Sequence, residues 1–195
     1  QDGVRLRPLR MTDAPALFDY LSNPLVTERT SFPVITMPLL EAMIARVQKR
    51  WAEGELSKWG IARAEDDVLV GTCGFNDWSS AHRWAEIAFD LAQEEWGKGV
   101  MRKAVTALLG WTFGQEQIDR VHAYVRVDNQ RSARLLERIG FCAKAVCAAS
   151  ESVAVRRTIF QSTDSCARIG KRAKCSRGTS ARRQVPKIRL PNRSM

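Results

Sequence analysis

Apolar residues recur along this chain with two alternating periods, and the switches between them mark out its elements. "GVRLRPL", residues 3–9, alternates polar and apolar positions and predicts a first strand. In "TDAPALFDYLS", Thr12 is placed to cap a helix, Pro15 suits its first turn, and Leu17 and Leu21 lie one turn apart. Asn23-Pro24 closes that helix, and "TERTSFPVIT" reads as loop. "MPLLEAMIARVQKRWAEGE" then sets Leu40, Met43, Ile44, Val47 and Trp51 on one helical face. "KWGIARA" and "VLVGTCGF", joined through Glu65-Asp66-Asp67, predict a hairpin, and "WAEIAFDL" predicts another strand after the polar loop "NDWSSAHR".

Helical spacing returns in "VMRKAVTALLGWTFG", where Val100, Ala104, Ala107, Leu108 and Trp111 share a face and Gly114 stands as a stop. "RVHAYVRV" alternates again, with Val121, Ala123, Val125 and Val127 on one side. Asp128 and Asn129 are good cap residues, and "SARLLERIGF" is a short helix closed by Gly140. Strands alternating with helices, plus one hairpin, predict an α/β (α+β) domain with a mixed sheet.

Composition changes the picture only once it is located. The formal charge is +10, yet residues 142–195 carry 13 Lys+Arg against 2 Asp+Glu, which leaves residues 1–141 at −1. Cys142, Cys147, Cys166 and Cys175 also lie in that tail, whereas all six tryptophans lie before it. The expected organisation is therefore a domain over 1–141 and an atypical basic tail over 142–195, of disordered composition beyond Ser165. No signal-peptide pattern opens the chain and no apolar run approaches the ~18 residues of a membrane span, so a cytoplasmic protein without membrane contact is expected.

"EEWGKGVMRKA", residues 94–104, raises the chemical question. Glycine weakens strand and helix alike, yet Gly97 and Gly99 stand where one gives way to the other. Such a junction can present unpaired first-turn amides to an anion, with Lys98 and Arg102 adding charge; it can equally be a bare tight connection. The dinucleotide fingerprint needs a third glycine where Arg102 stands, and "GKGVM" does not supply a phosphate-binding P-loop.

From Val4 to Phe141 the chain resembles the GNAT superfamily of N-acetyltransferases, within it the branch of the ribosomal-protein acetyltransferases RimJ and RimL. The resemblance lies in "AEIAFDLAQEEWGKGVMRKAV" and "VDNQRSARLLERIGF", with "RLRPLRMTDAPALFDYLSNP" and "GTCGF" fitting the same branch. Glu94 departs from the Gln or Arg that opens the family's pyrophosphate signature. The resemblance implies a mixed, mostly antiparallel twisted sheet flanked by helices. It implies acetyl-CoA as co-substrate, its pyrophosphate on residues 95–100 (Trp96, Gly97, Lys98, Gly99 and Val100 among them), and its pantetheine arm along residues 86–91. It also implies an oxyanion donor among Phe89 to Leu91, Glu86 as general base through water, Ser132 as acid near the sulfur, and Asn129 against coenzyme A. The tyrosine acid of other relatives has Leu136 in its place, which closes that route.

Each candidate has an ordinary counterpart: an ion-paired strand carboxylate for Glu86, a helix-surface serine for Ser132, a cap for Asn129. His82 and His122 have no metal-ligand spacing, so no metal is expected, and Cys73 is expected in the core. His122 is expected on the surface or in a groove, and Trp78 and Trp84 are candidates for the acceptor site. The resemblance implies an amine acceptor, either a protein N-terminus or a small molecule, and a monomer or a homodimer is expected. A non-catalytic or RNA-associated protein that uses its basic tail for phosphate neutralisation is the alternative. After Phe141 the family has a closing hairpin, and this chain departs from it. "SVAVRRTIF" gives one candidate strand, and the switch in composition points to a frameshifted or foreign ending that would leave a sheet edge open.

Overall fold

The computed structural model describes residues 3–30, 32–115, 118–147 and 152–158. Its first half holds β1 (Val4–Arg7), α1 (Ala14–Leu21), α2 (Pro24–Thr27), α3 (Met37–Ala52), β2 (Lys58–Arg63) and β3 (Leu69–Ser79). The second half holds β4 (Trp84–Leu91), α4 (Val100–Gly114), β5 (Arg120–Arg126), α5 (Gln130–Arg138), β6 (Cys142–Cys147) and β7 (Ser152–Thr158). One sheet takes the order β1-β2-β3-β4-β5-β7-β6. Among the described residues only β4 and β5 run parallel, so the sheet is mixed and mostly antiparallel, with helices against it, as the sequence predicts.

Local chemistry explains the boundaries. Thr36 caps α3 through the Leu39 amide, and Asn23 caps the unexpected short α2 through the Leu25 amide. Thr12 does not cap α1; it lies in a 3-10 turn, Met11–Asp13, that leads into the helix. The turn forms because the buried Asp13 carboxylate accepts from the Arg10 amide and from Arg7, which leaves Thr12 no capping role. The predicted apolar faces turn inward, with Leu17, Ile44, Ile61, Leu108 and Leu136 fully buried; Val127 is the exception, 53% exposed because β5 ends at Arg126, one residue before it. Trp51, Trp59 and Trp111 meet edge to face, at centroid separations of 4.5 to 6.5 Å, and tie α3 and α4 to β2. Cys73 is buried, and burial pushes its thiol well above the ordinary range, so it packs rather than reacts.

Strand β3 runs further than predicted, through Asn76 to Ser79, because a bulge between Phe75 and Asp77 lets polar residues stay on the sheet. The glycine before it is set by close packing. A Cβ on Gly74 would lie 2.4 Å from Lys58 Cα and 2.5 Å from Ser57 O, both backbone atoms that cannot swing aside. Gly74→Ala is therefore expected to destabilise the fold by about 3 kcal/mol. At about 2–4 °C per kcal/mol that lowers Tm by about 6–12 °C. A melt followed by circular dichroism checks it, and an unchanged Tm would mean the strands part freely.

The sheet does not stop at Phe141. Strands β6 and β7 pair antiparallel, and β7 pairs with β5 along its whole length, from Arg120↔Thr158 to Arg126↔Ser152. The expected open edge beside β5 is thus filled, because small and β-branched residues suffice for a ladder without aromatics. The frameshift and RNA-contact expectations concern residues 142–195 and the disordered-composition expectation those beyond Ser165; of these only 142–147 and 152–158 are among the described residues. No helix among the described residues is long and apolar enough to cross a membrane, and none of their His, Cys, Asp and Glu side chains group as metal ligands.

Candidate functional site

The site begins where two parallel strands part. β4 and β5 pair only over Trp84↔Arg120, Ala85↔Val121 and Glu86↔His122. Beyond that last rung β4 continues to Leu91 and β5 to Arg126, the latter held on its far side by β7. The cause lies in β3. Its bulge falls where its register passes from Ile87 to Glu86, and an extra residue on one strand bends the ladder at that point.

Backbone parity then decides which amides face the opening. The Ala92 amide donates to Val70 O, so alternate residues of β4, Ala88 and Asp90, face β3. Ile87, Phe89 and Leu91 accordingly turn their backbone groups toward the wedge, where β5 no longer pairs with them. An extended ligand can add there as a strand. Asp90 lies buried behind, accepting from Thr72 and from the Tyr20 hydroxyl, which ties α1 to β4. Burial, then the Asp90 charge, holds the Tyr20 hydroxyl well above its ordinary range.

At the wide end the chain makes a 3-10 turn, Gln93–Glu95, and then the glycine pair. Gly97 and Gly99 have φ of +80° and +77°, in the left-handed region, and a Cβ on either would meet nothing within 4 Å. Backbone conformation, not space, requires glycine here. The Glu95 and Trp96 amides are already engaged by Ala92 O and Gln93 O. Those of residues 97–102 meet no protein carbonyl among the described residues, so the cradle lies two residues later than the expected 95–100. It occupies the N-terminus of the 15-residue α4.

Side chains complete a cleft of about 730 Å³, lined by Phe89, Leu91, Trp96, Gly97, Gly99, Val100, Asn129 and Ser132 among others. Trp96 donates its indole N–H to Leu91 O at 2.9 Å and carries the Arg131 guanidinium 3.4 Å above its ring. Asn129 accepts from the Ser132 amide as the cap of α5 and donates to Arg29 O, which joins the helix to the loop after α2. The Ser132 hydroxyl has no protein partner among the described residues. The Lys98 side chain lies outside the cleft lining and pairs with Glu95 at 3.3 Å, so of this residue it is the free amide that faces the junction.

Glu86 also lies apart from the cleft lining, at the closed end of the wedge. Asn76, the bulge residue, donates to it at 3.3 Å, and His122 Nε2 stands 3.9 Å from its carboxylate. His122 is half-buried, between Trp84 (5.2 Å) and Tyr124 (5.4 Å). Trp84 thus belongs to this cluster, whereas Trp78 packs against the core.

The sequence reading missed a row of arginines. Arg29, Arg102, Arg131, Arg134 and Arg138 line one cleft, and the last three fall on one face of α5 by their spacing. Helical periodicity applied to charge, rather than to apolar residues, finds that row in "NQRSARLLER".

Comparison with known proteins accords with this geometry. The family model of the acetyltransferase (GNAT) domain matches residues 4–142. An uncharacterised N-acetyltransferase, p20, of Bacillus licheniformis is 33% identical over 141 residues, covering 72% of this chain and 79% of its own. The ribosomal protein uS5-alanine N-acetyltransferase of Escherichia coli is 24% identical over 102 residues, 52% of this chain and 53% of its own. The structure of RimL, a ribosomal L7/L12 N-acetyltransferase solved with coenzyme A, superposes with a TM-score of 0.72 at 20% identity. That match covers 80% of this chain and 94% of RimL.

Proposed function

The chain belongs to the GNAT family of N-acetyltransferases, in its RimJ/RimL-like branch, and from that premise we propose that it transfers acetyl from acetyl-CoA to a primary amine. The acceptor class is a protein N-terminus or a small amine. The observation that carries the reading is the wedge itself: unpaired strand amides at one end and a cradle of free helix amides with arginines at the other. An elongated thioester with a diphosphate fits that order, whereas a compact nucleotide leaves the strand amides unused.

The chemistry joins nitrogen to the thioester carbon and breaks the carbon–sulfur bond. The Phe89 or Leu91 amide, facing the wedge, donates to the developing oxyanion. Glu86, through water, takes the proton released from the attacking nitrogen. Ser132 supplies a proton to the departing thiolate, regaining it from solvent. Trp84, His122 and Tyr124 form the wall beside Glu86 past which the amine reaches the carbonyl carbon.

Titration calorimetry with acetyl-CoA tests the donor, and thiol release with a panel of amines and ribosomal-protein N-terminal peptides tests the acceptor. Binding at about micromolar to submillimolar strength is expected. Absence of binding heat would overturn the reading. The variant Gly97→Ala/Gly99→Ala forces alanine into left-handed backbone at about 1–2 kcal/mol per residue. Its affinity for acetyl-CoA is expected to fall at least about tenfold while the fold persists. Unchanged affinity would move the diphosphate elsewhere.

A further inference from the structure

We propose that Arg134 and Arg138 of α5 bind the 3′-phosphate of the donor, so that this enzyme selects 3′-phosphorylated coenzyme A over its dephosphorylated form. The inference rests on the acetyl-CoA reading above and adds the group that fixes the nucleotide end.

Charge in the cleft is left over after every visible pairing. Glu28 stands 3.4 Å from Arg29, Glu95 pairs with Lys98, and the buried Asp90 carboxylate takes its hydrogen bonds from Thr72 and Tyr20 rather than from an arginine. Arg131 is stacked on Trp96. Arg102, Arg134 and Arg138 then line the same cleft with no carboxylate within 4.0 Å among the described residues.

That arrangement works against the helix that carries it. Arg134 and Arg138 are like charges four residues apart, a spacing that weakens a helix of only nine residues. Arg131 sits in the first turn, where the helix dipole disfavours a cation. An anion bound across the row offsets both effects.

Position separates the anions. The diphosphate takes the free amides at the N-terminus of α4. Arg134 and Arg138 lie three and seven residues beyond the Trp96–Arg131 stack, about 4.5 and 10 Å along the helix. A second dianionic group on the same ligand, set off from the diphosphate by a ribose, meets them there. Guanidinium forks suit a terminal phosphate because two parallel N–H donors match two of its oxygens.

The test compares acetyl-CoA with acetyl-3′-dephospho-CoA on the full chain, by calorimetry and by thiol release at low and high salt. The wild type is expected to bind the dephospho form about 10- to 100-fold more weakly, with the gap shrinking at high salt. Arg134→Ala/Arg138→Ala is expected to weaken acetyl-CoA to the dephospho level and to leave the dephospho form unmoved. Equal binding of both ligands by the wild type overturns this proposal alone, whereas binding of neither overturns the donor reading with it. A variant that instead raises the KM of a peptide acceptor, with donor affinity intact, also overturns it and assigns the row to an acidic acceptor. The ligand comparison uses only the wild type, so it holds whether or not the variant folds.

Discussion

Glu86→Gln is expected to lower kcat about a hundredfold near neutral pH while leaving affinity for acetyl-CoA unchanged. The acceptor amine arrives mostly protonated, and its nitrogen attacks only after a proton has left. A positioned carboxylate contributes about 10²–10⁴-fold to such a transfer, and the smaller figure suits a base acting through water. Glu86 stands on the last rung before β4 and β5 separate, held by Asn76 and beside His122, whereas the cleft-lining residues lie beyond it. The effect therefore belongs to turnover rather than to donor binding. Raising pH delivers more amine already deprotonated, so the gap between wild type and variant is expected to narrow toward pH 9. A pH series of steady-state rates reads this directly. A variant as fast as the wild type at pH 7 would reduce Glu86 to an ion-paired strand residue.

The largest loss of stability is expected from Arg7→Ala. Arg7 is 7% exposed and donates to both oxygens of buried Asp13, at 2.8 and 2.7 Å, and to Asp67 at 2.7 Å. Truncation strands the Asp13 carboxylate without its cation, and breaking a buried pair in this way costs about 3–5 kcal/mol. At about 2–4 °C per kcal/mol the melting temperature falls by about 6–20 °C. Arg5→Ala is the control: its side chain is 46% exposed, and such a pair is worth at most about 1 kcal/mol. Similar losses from both variants would refute the reading.

Acid tests the same cluster. Asp67 holds left-handed backbone at φ +60° under three arginines, and hydrogen bonds from Arg5, then Arg7 and Arg10, hold its carboxyl well below the usual carboxylate range. A lowered folded value gives stability that is present above the ordinary carboxylate value, about 3.9, and lost as pH falls below it. Wild-type stability is therefore expected to drop below about pH 4, and less steeply in Arg7→Ala.

Particular residues show how far the sequence was legible. The periods that place Leu40, Ile44 and Val47, or Val121, Ala123 and Val125, are local, and the structure buries all six. The glycine pair was legible because left-handed backbone leaves its mark on residue type. Strand β7 and the hairpin it makes with β6 were half legible, since a run without aromatics carries little pattern until β5 is beside it. The arginine row was present in the sequence and needed only the helical period applied to charge.

The sequence by itself determined the family, the order of most elements and the junction at Gly97 and Gly99, and it put forward Glu86, Asn129 and Ser132 as candidates. Each depends on residue type at spacings of two to four, within the reach of a single turn or strand. Only the tertiary structure decided that β4 parts from β5 after Glu86, that the free amides begin at Gly97 rather than Glu95, and that Lys98 is spent on Glu95. Those outcomes turn on register between segments distant in sequence, where one bulge at Asn76 shifts which groups face each other. No local pattern encodes that choice.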